Sequence, residues 1–148
     1  MIFIGLGSSI GNAEEIFRST EKFLNKNNIT IKKKSNIFKN PPFGNIAKNE
    51  FSNAVWEIFV EKNITPFYLL KILKNCEKYH GRDFTKPLWS DRILDIDILF
   101  FNNQKINTKN LKIPHPGIKK RIFVIKPWCE ILEKNFEIKD VGITLLKT

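Results

Sequence analysis

The sequence is poor in the residues that build disulfide frameworks, metal clusters and membrane spans. It has two cysteines in 148 residues, Cys76 and Cys129, which lie far apart and form no Cys-x-x-Cys pair. We therefore expect reduced thiols in a cytosolic protein. No stretch reaches the roughly 18 apolar residues of a transmembrane helix. Residues 1–4 lack the basic segment of a secretory signal.

Arginine is also scarce, although the chain is basic. Lysine and arginine total 25 against 15 acidic residues, which gives a net charge of +10. The positions of the four arginines are Arg18, Arg82, Arg92 and Arg121. We expect the scattered lysines to form a solvated surface. Where lysine supplies most of the positive charge, an arginine indicates a need for a planar, bidentate donor.

The hydrophobic pattern predicts a single α+β domain over residues 1–148. We expect strands at 1–6, 29–38, 51–60 and 93–101, helices at 13–27 and 66–79, a hairpin near 104–113, and short pieces at 118–133 interrupted at Pro127. This order is that of the ferredoxin-like βαββαβ sandwich, with helices on one face of a mostly antiparallel sheet and extra C-terminal elements. The plan serves enzymes and RNA-binding modules alike, so it does not determine function.

The strongest chemical signal is the strand segment Leu94-Asp95-Ile96-Asp97-Ile98. Alternate residues of a strand share a face, so Asp95 and Asp97 point together while their neighbours point into the core. At strand rise the two Cα atoms lie roughly 6.5–7 Å apart, close enough for both carboxylates to bind hard cations of a phosphoryl-transfer site. The alternative is a solvated edge face, although strands disfavour aspartate.

Arginines and a histidine flank this strand. Arg82 and Arg92 bracket a polar segment and could close over a polyphosphate, although loop arginines alone are more often surface residues. Trp89 is hard to explain as a core residue in that segment. His115, held between two prolines, and Arg121 could meet phosphate oxygens. The alternative is a histidine that is structural or merely exposed.

Asn53 lies two residues after Phe51 in the third predicted strand. An asparagine offers two donors and one acceptor, which complement the edge of a flat heterocycle. Phe51 and Phe123 could sandwich such a ring, although phenylalanine in a strand is a core residue by default.

Taken in order, these motifs resemble the 6-hydroxymethyl-7,8-dihydropterin pyrophosphokinase family over nearly the whole chain. They are Gly7-Ser8, Asn40-Pro41-Pro42-Phe43-Gly44, Phe51-x-Asn53-Ala54, Glu77 to Gly81-Arg82, Trp89 to Arg92, Leu94 to Leu99, Ile113-Pro114-His115-Pro116 and Arg121-x-Phe123-Val124. The resemblance implies transfer of the diphosphate of ATP to the hydroxymethyl group of the pterin, with release of AMP, in folate biosynthesis.

The resemblance also implies a role for each matching residue. Asp95 and Asp97 would hold two Mg²⁺ ions, and Arg82 and Arg92 would join them in catalysis. The implied ATP-binding residues are Glu77, Arg82, Trp89, Arg92, Ile98, His115 and Arg121, and the implied pterin-binding residues are Asn40, Pro42, Phe43, Phe51, Asn53 and Phe123. We expect a cytoplasmic monomer that binds these small molecules and neither nucleic acid nor membrane.

The chain departs from the family pattern in the segment between Arg82 and Arg92. Family members commonly carry Arg-Trp-Gly-Pro-Arg, whereas this chain has Leu88-Trp89-Ser90-Asp91-Arg92, and Phe84 replaces a further arginine. Closure of this segment over a nucleotide would therefore have fewer charge-assisted hydrogen bonds available.

The competing function is a nucleic-acid-binding module, which the isoelectric point of about 9.7 favours. Such a module would expose interleaved aromatic and basic residues on its central strands. The strand at 93–101 instead exposes Asp95 and Asp97, which repel phosphate unless a metal is bound.

Overall fold

The structure is a computed structural model that describes residues 1–41, 49–82, 85–86 and 91–148. Within these ranges the strands are β1 (Ile2–Ser8), β2 (Thr30–Lys34), β3 (Phe38–Asn40), β4 (Phe51–Phe59), β5 (Asp95–Phe101), β6 (Ile106–Asn107), β7 (Lys112–Ile113), β8 (Phe136–Ile138) and β9 (Ile143–Leu145). The α-helices are α1 (Ala13–Lys26), α2 (Pro66–Tyr79) and α3 (Ile122–Glu130), and 3₁₀ turns occur at Ile118–Lys120 and Lys139–Val141. None of these helices combines the length and apolar character needed to cross a bilayer.

The main sheet is antiparallel with the strand order β2-β4-β1-β5, and β3 also pairs with β4. The α+β class is confirmed, and β2 and β3 together replace the single predicted strand at 29–38. The register places Gly7 of β1 between Asn53 of β4 and Asp95 of β5. Asn53, Gly7 and Asp95 therefore form one row across three strands. This row, called here the Asn53–Gly7–Asp95 row, lies under the site described below.

Hydrophobic side chains cover both faces of the sheet. Ile4 and Trp56 belong to the core cluster that includes residues of α1 and α2, whereas Phe3 and Val55 pack with Trp128 of α3. The helices predicted at 13–27 and 66–79 thus share one face of the sheet, as expected, and α3, one of the C-terminal elements, lies on the other face. Because β1 and β4 are apolar at successive positions, both faces must be covered, and α3 covers the second.

The prediction that Pro127 interrupts the C-terminal helical segment is wrong. Pro127 is buried inside α3. A proline in a helix removes one backbone hydrogen bond, and the burial of its neighbours Val124 and Trp128 against the sheet offsets this cost.

Helix α2 has the predicted capping residues at both ends. The Thr65 side chain accepts a hydrogen bond from Tyr68 N at 3.1 Å, and Pro66 is the first helical residue. After the helix, Gly81 has φ 86°, a left-handed conformation that glycine adopts without a Cβ penalty. Arg82 N then donates to the Glu77 carbonyl at 2.9 Å. Gly81 thus turns the chain so that Arg82 lies next to α2.

We predict that Gly81→Ala destabilises the protein by about 1 kcal/mol, because alanine is strained at this φ. Urea unfolding followed by circular dichroism measures the change, with the exposed Lys78→Ala in the last turn of α2 as the control. An unchanged free energy of unfolding in Gly81→Ala would show that this turn does not depend on glycine.

Candidate active site

A cavity of about 290 Å³ lies above the Asn53–Gly7–Asp95 row. Ten predicted site residues line it: Asn40, Phe51, Asn53, Arg82, Arg92, Asp95, Asp97, His115, Arg121 and Phe123. The structure therefore brings together residues from five separate parts of the chain. Pro42, Phe43 and Trp89 were also predicted, and they lie outside the described residues, as do Phe84, Leu88 and Ser90.

Gly7 lines this cavity without placing a side chain in it. A Cβ atom on Gly7 would lie 3.2 Å from Asn53 Nδ2 and 4.0 Å from Asp95 Cβ. Glycine thus leaves open the space between the asparagine and the aspartate, where a ligand can approach the backbone of β1.

Two arginines converge on one oxygen of Asp95. Arg82 Nη1 lies 3.2 Å from Asp95 Oδ1, and Arg92 Nη1 lies 3.3 Å from the same atom. The backbone of Arg92 is fixed by Ser9, whose Oγ accepts from Arg92 N at 2.9 Å and whose N–H donates to Arg92 O at 2.9 Å. Sequence reasoning missed Ser9, because its only signal is its position directly after β1.

The second aspartate has one hydrogen-bond donor and one longer contact. Arg121 Nη1 lies 3.2 Å from Asp97 Oδ2, and His115 Nε2 lies 3.7 Å from the same oxygen. Burial raises the pKa of Asp97 above its usual range, the negative charge of Asp95 raises it further, and Arg121 opposes the shift. A divalent cation bound beside two adjacent carboxylates would offset the repulsion between them.

His115 is a neutral hydrogen-bond donor. Gly117 N–H donates to His115 Nδ1 at 3.0 Å, so the ring proton lies on Nε2, the nitrogen that faces Asp97. Burial, together with the charge of Arg121, lowers the pKa of His115 to about 4. At neutral pH the imidazole therefore offers an N–H and no charge.

Glu77 does not line the cavity, but it contacts residues that form the site. Its side chain is wholly buried, and its Oε2 accepts from Ile96 N at 2.8 Å on the edge strand β5. Its Oε1 lies 3.3 Å from Arg82 Nη1 and 3.3 Å from Lys74 Nζ. Burial and Asp95 raise the pKa of Glu77, and these partners oppose the shift. Glu77 thereby connects α2, Arg82 and β5.

A second cavity of about 300 Å³ adjoins the first. Lys74, Asp97 and His115 line both cavities, and Ile98, the remaining predicted site residue, lines the second together with Leu70. Lys74 was not predicted, and its signal was its position one helical turn before Glu77 on α2. The two cavities thus meet beside the carboxylate of Asp97.

The other end of the first cavity suits a flat polar ring. Asn53 is buried, and its Oδ1 accepts from Asn40 Nδ2 at 3.0 Å. Phe51 and Phe123 supply aromatic surface, and Arg121 Cζ lies 5.9 Å from the centre of the Phe123 ring. Fixed amides beside aromatic faces can recognise the edge and the face of a heterocycle.

The donor set fits Mg²⁺ that is bound together with a phosphate ligand. Among the described residues, no group of three or more His, Cys, Asp or Glu side chains is arranged to hold a metal. Asp95 and Asp97 are two carboxylates on one face of β5. Mg²⁺ is typically bound by one or two carboxylates, with water and substrate phosphates completing its octahedron.

The family match and the relatives all point to the same kind of protein, and each covers most of the chain. The family described as 7,8-dihydro-6-hydroxymethylpterin-pyrophosphokinase matches residues 3–133. The chain is 35% identical over 133 residues to a 2-amino-4-hydroxy-6-hydroxymethyldihydropteridine pyrophosphokinase of Bacillus subtilis, covering 89% of this chain and 78% of the relative. Proteins of the same description from Aquifex aeolicus and Haemophilus influenzae are 34% and 33% identical, covering 88% and 87% of this chain and 79% of each relative.

We predict that His115 makes folding pH-dependent. The unfolded chain takes up a proton at His115 near pH 6.5, whereas the folded chain does so near pH 4. The stability that this residue contributes is therefore present above pH 6.5 and is lost as the pH falls towards 4. Urea unfolding at pH 7, 6 and 5 should show a steeper loss in the wild type than in His115→Gln. Equal slopes would contradict a neutral, buried imidazole.

Proposed function

The chain belongs to the 7,8-dihydro-6-hydroxymethylpterin-pyrophosphokinase family, and we propose that ATP and the pterin occupy its two adjoining cavities with Mg²⁺ ions on Asp95 and Asp97. As a pyrophosphokinase of folate biosynthesis, it transfers the diphosphate of ATP to the hydroxymethyl oxygen of 6-hydroxymethyl-7,8-dihydropterin and releases AMP. The observation that carries the proposal is the position of Asp97, which lines both cavities.

When bound, two Mg²⁺ ions would polarise the transferred phosphoryl group and neutralise its charge. Asp95 and Asp97 are the residues that would hold them. Since phosphoryl transfer requires little covalent participation by the protein, the remaining side chains position the substrates and stabilise charge.

Three arginines and a histidine surround the place where the polyphosphate would lie. Arg82 and Arg92 lie on one side, beside Asp95, and their planar forks match phosphate oxygens. Arg121 and the neutral His115 lie on the other side, beside Asp97. We assign all four to ATP binding, with Arg82 and Arg92 also in catalysis. Trp89 has the same nucleotide-binding assignment on the family resemblance.

Glu77 takes an indirect part in nucleotide binding in this proposal. Its carboxylate is buried and holds Arg82 and the Ile96 N–H. It therefore orients the Arg82 fork and does not itself meet the phosphates.

The second cavity suits the nucleoside part of ATP. Leu70 and Ile98 offer an apolar surface to the base, and Lys109 and Lys112 surround it with positive charge. Lys74 lies where the two cavities meet, so its ammonium group lies towards the phosphates.

The aromatic end of the first cavity suits the pterin. Asn53 and Asn40 would bind the edge of the ring, while Phe51 and Phe123 would pack on its faces. Pro42 and Phe43 join this set on the family resemblance. The hydroxymethyl group would then point along the row towards Asp95.

We further propose that residues 1–148 form one pyrophosphokinase domain that acts as a monomer in the cytoplasm. Residues of one chain line both cavities, which supports a monomer as the catalytic unit. Cys76 and Cys129 are free thiols, as in proteins of a reducing compartment.

Product analysis tests the proposed reaction. The purified protein is incubated with ATP, Mg²⁺ and the hydroxymethyl pterin, and nucleotides are separated by ion-exchange chromatography. AMP and a diphosphorylated pterin are expected, with product formation abolished by excess EDTA and restored by Mg²⁺. Formation of ADP would show an ordinary kinase, and turnover unaffected by EDTA would exclude the metal assignment.

We predict that Asp95→Asn and Asp97→Asn each lower turnover by roughly a hundredfold or more, because each removes a metal ligand worth several kcal/mol in the transition state. AMP formation measures the loss. Asp140→Asn is the matched control, since Asp140 lies in the 3₁₀ turn at Lys139–Val141 and pairs with Lys105 at 3.8 Å. Wild-type turnover in either site variant would contradict its assignment.

Asn53→Ala should weaken pterin binding by ~1–3 kcal/mol, the cost of leaving buried polar partners without a hydrogen bond. Isothermal titration calorimetry with pterin and with ATP separates the two sites. The ATP affinity of the same variant is the internal control and should be unchanged. Equal losses for both ligands would exclude a dedicated pterin role for Asn53.

A further inference from the structure

Gly117 lies between His115 and Arg121, and its backbone gives no reason for glycine. Its φ of −86° and ψ of 0° are in the right-handed region, which any L-residue adopts. The reason for glycine must therefore lie in the space around the Cα atom.

That space is filled by Arg121. A Cβ atom on Gly117 would lie 2.8 Å from Arg121 Nε and 3.2 Å from Arg121 Cζ, and it would lie 3.2 Å from His115 Cε1. Non-bonded carbon atoms pack at about 3.5–4.0 Å. The guanidinium of Arg121 therefore occupies the volume that any side chain at position 117 would need.

This packing sets the position of Arg121 at the junction of the site. From its place over Gly117, the guanidinium reaches Asp97 Oδ2 at 3.2 Å and lies 5.9 Å from the centre of the Phe123 ring. The Gly117 N–H also holds His115 Nδ1 at 3.0 Å. The volume of the side chain at position 117 thus determines where Arg121 lies, whereas the backbone N–H of the same residue orients His115.

We propose that Gly117 is a positioning residue for diphosphate transfer, an inference that rests on the proposed function. The absence of a side chain lets Arg121 lie flat across the 3₁₀ turn, with its charge between the metal-binding Asp97 and the pterin-binding Phe123. A methyl group at position 117 displaces the guanidinium from both. Because the shortest contact is with the end of a flexible side chain, and the contact with His115 Cε1 needs only a small shift, the fold accommodates the methyl group and the site does not.

A double-mutant cycle tests this inference. Gly117→Ala, Arg121→Ala and the double variant are compared with the wild type in kcat/KM for ATP, measured as AMP release, and in calorimetric affinity for ATP with Mg²⁺. In the Arg121 background, Gly117→Ala should lower kcat/KM on the order of tenfold. In the Arg121→Ala background, the same change should have less than about a twofold effect, since the displaced group is already absent.

Lys120→Ala, an exposed change in the same 3₁₀ turn, is the control and should match the wild type. Unfolding midpoints should be equal in Gly117→Ala and the wild type. Equal fold losses in the two arginine backgrounds, wild-type kinetics of Gly117→Ala, or a large drop in its unfolding midpoint would each overturn the positioning role. If the wild type released no AMP, the proposed function would fail, and the affinity cycle alone would still decide the role of Gly117.

Discussion

The repulsion between Asp95 and Asp97 is the constraint on which the rest of the site depends. Burial raises the pKa of Asp97, and the negative charge of Asp95 on the same face of the edge strand raises it further. The protein opposes this repulsion with guanidinium groups at 3.2–3.3 Å from each aspartate. The same positive charges then surround the space in which a polyphosphate and its metal ions would lie.

Each of these three arginines is held in place by a different part of the chain. The arginines therefore lie close together only when the chain is folded. Arg82 follows the Gly81 turn of α2 and is braced by the buried Glu77. Arg92 is fixed through its backbone to Ser9 after β1. Arg121 directly precedes α3, which packs on the sheet face opposite α1 and α2. Preorganised charge of this kind stabilises a transition state without reorganisation during the reaction.

Local pattern was sufficient to predict the Asp95 and Asp97 pair, the α+β class and the ends of α2, because strand alternation and helix caps are properties of neighbouring residues. Ser9 could not be found in this way, because its partner Arg92 lies far along the chain. Lys74 has a local partner in Glu77, but its place where the two cavities meet depends on packing in three dimensions, as does the contact of Gly117 with Arg121. The position of α3 was missed for the same reason. Sequence pattern shows that β1 and β4 are apolar, but it does not show which later segment covers their second face.

A crystal structure with Mg²⁺, a non-hydrolysable ATP analogue and the hydroxymethyl pterin would test the metal-binding role of Asp95 and Asp97. The proposed site predicts metal ions at about 2.0–2.1 Å from carboxylate oxygens of both Asp95 and Asp97. It also predicts phosphate oxygens bonded to Arg82 and Arg92, and the pterin between Phe51 and Phe123. If either aspartate bound no metal in this complex and remained paired with its arginine, its role as a metal ligand would be excluded.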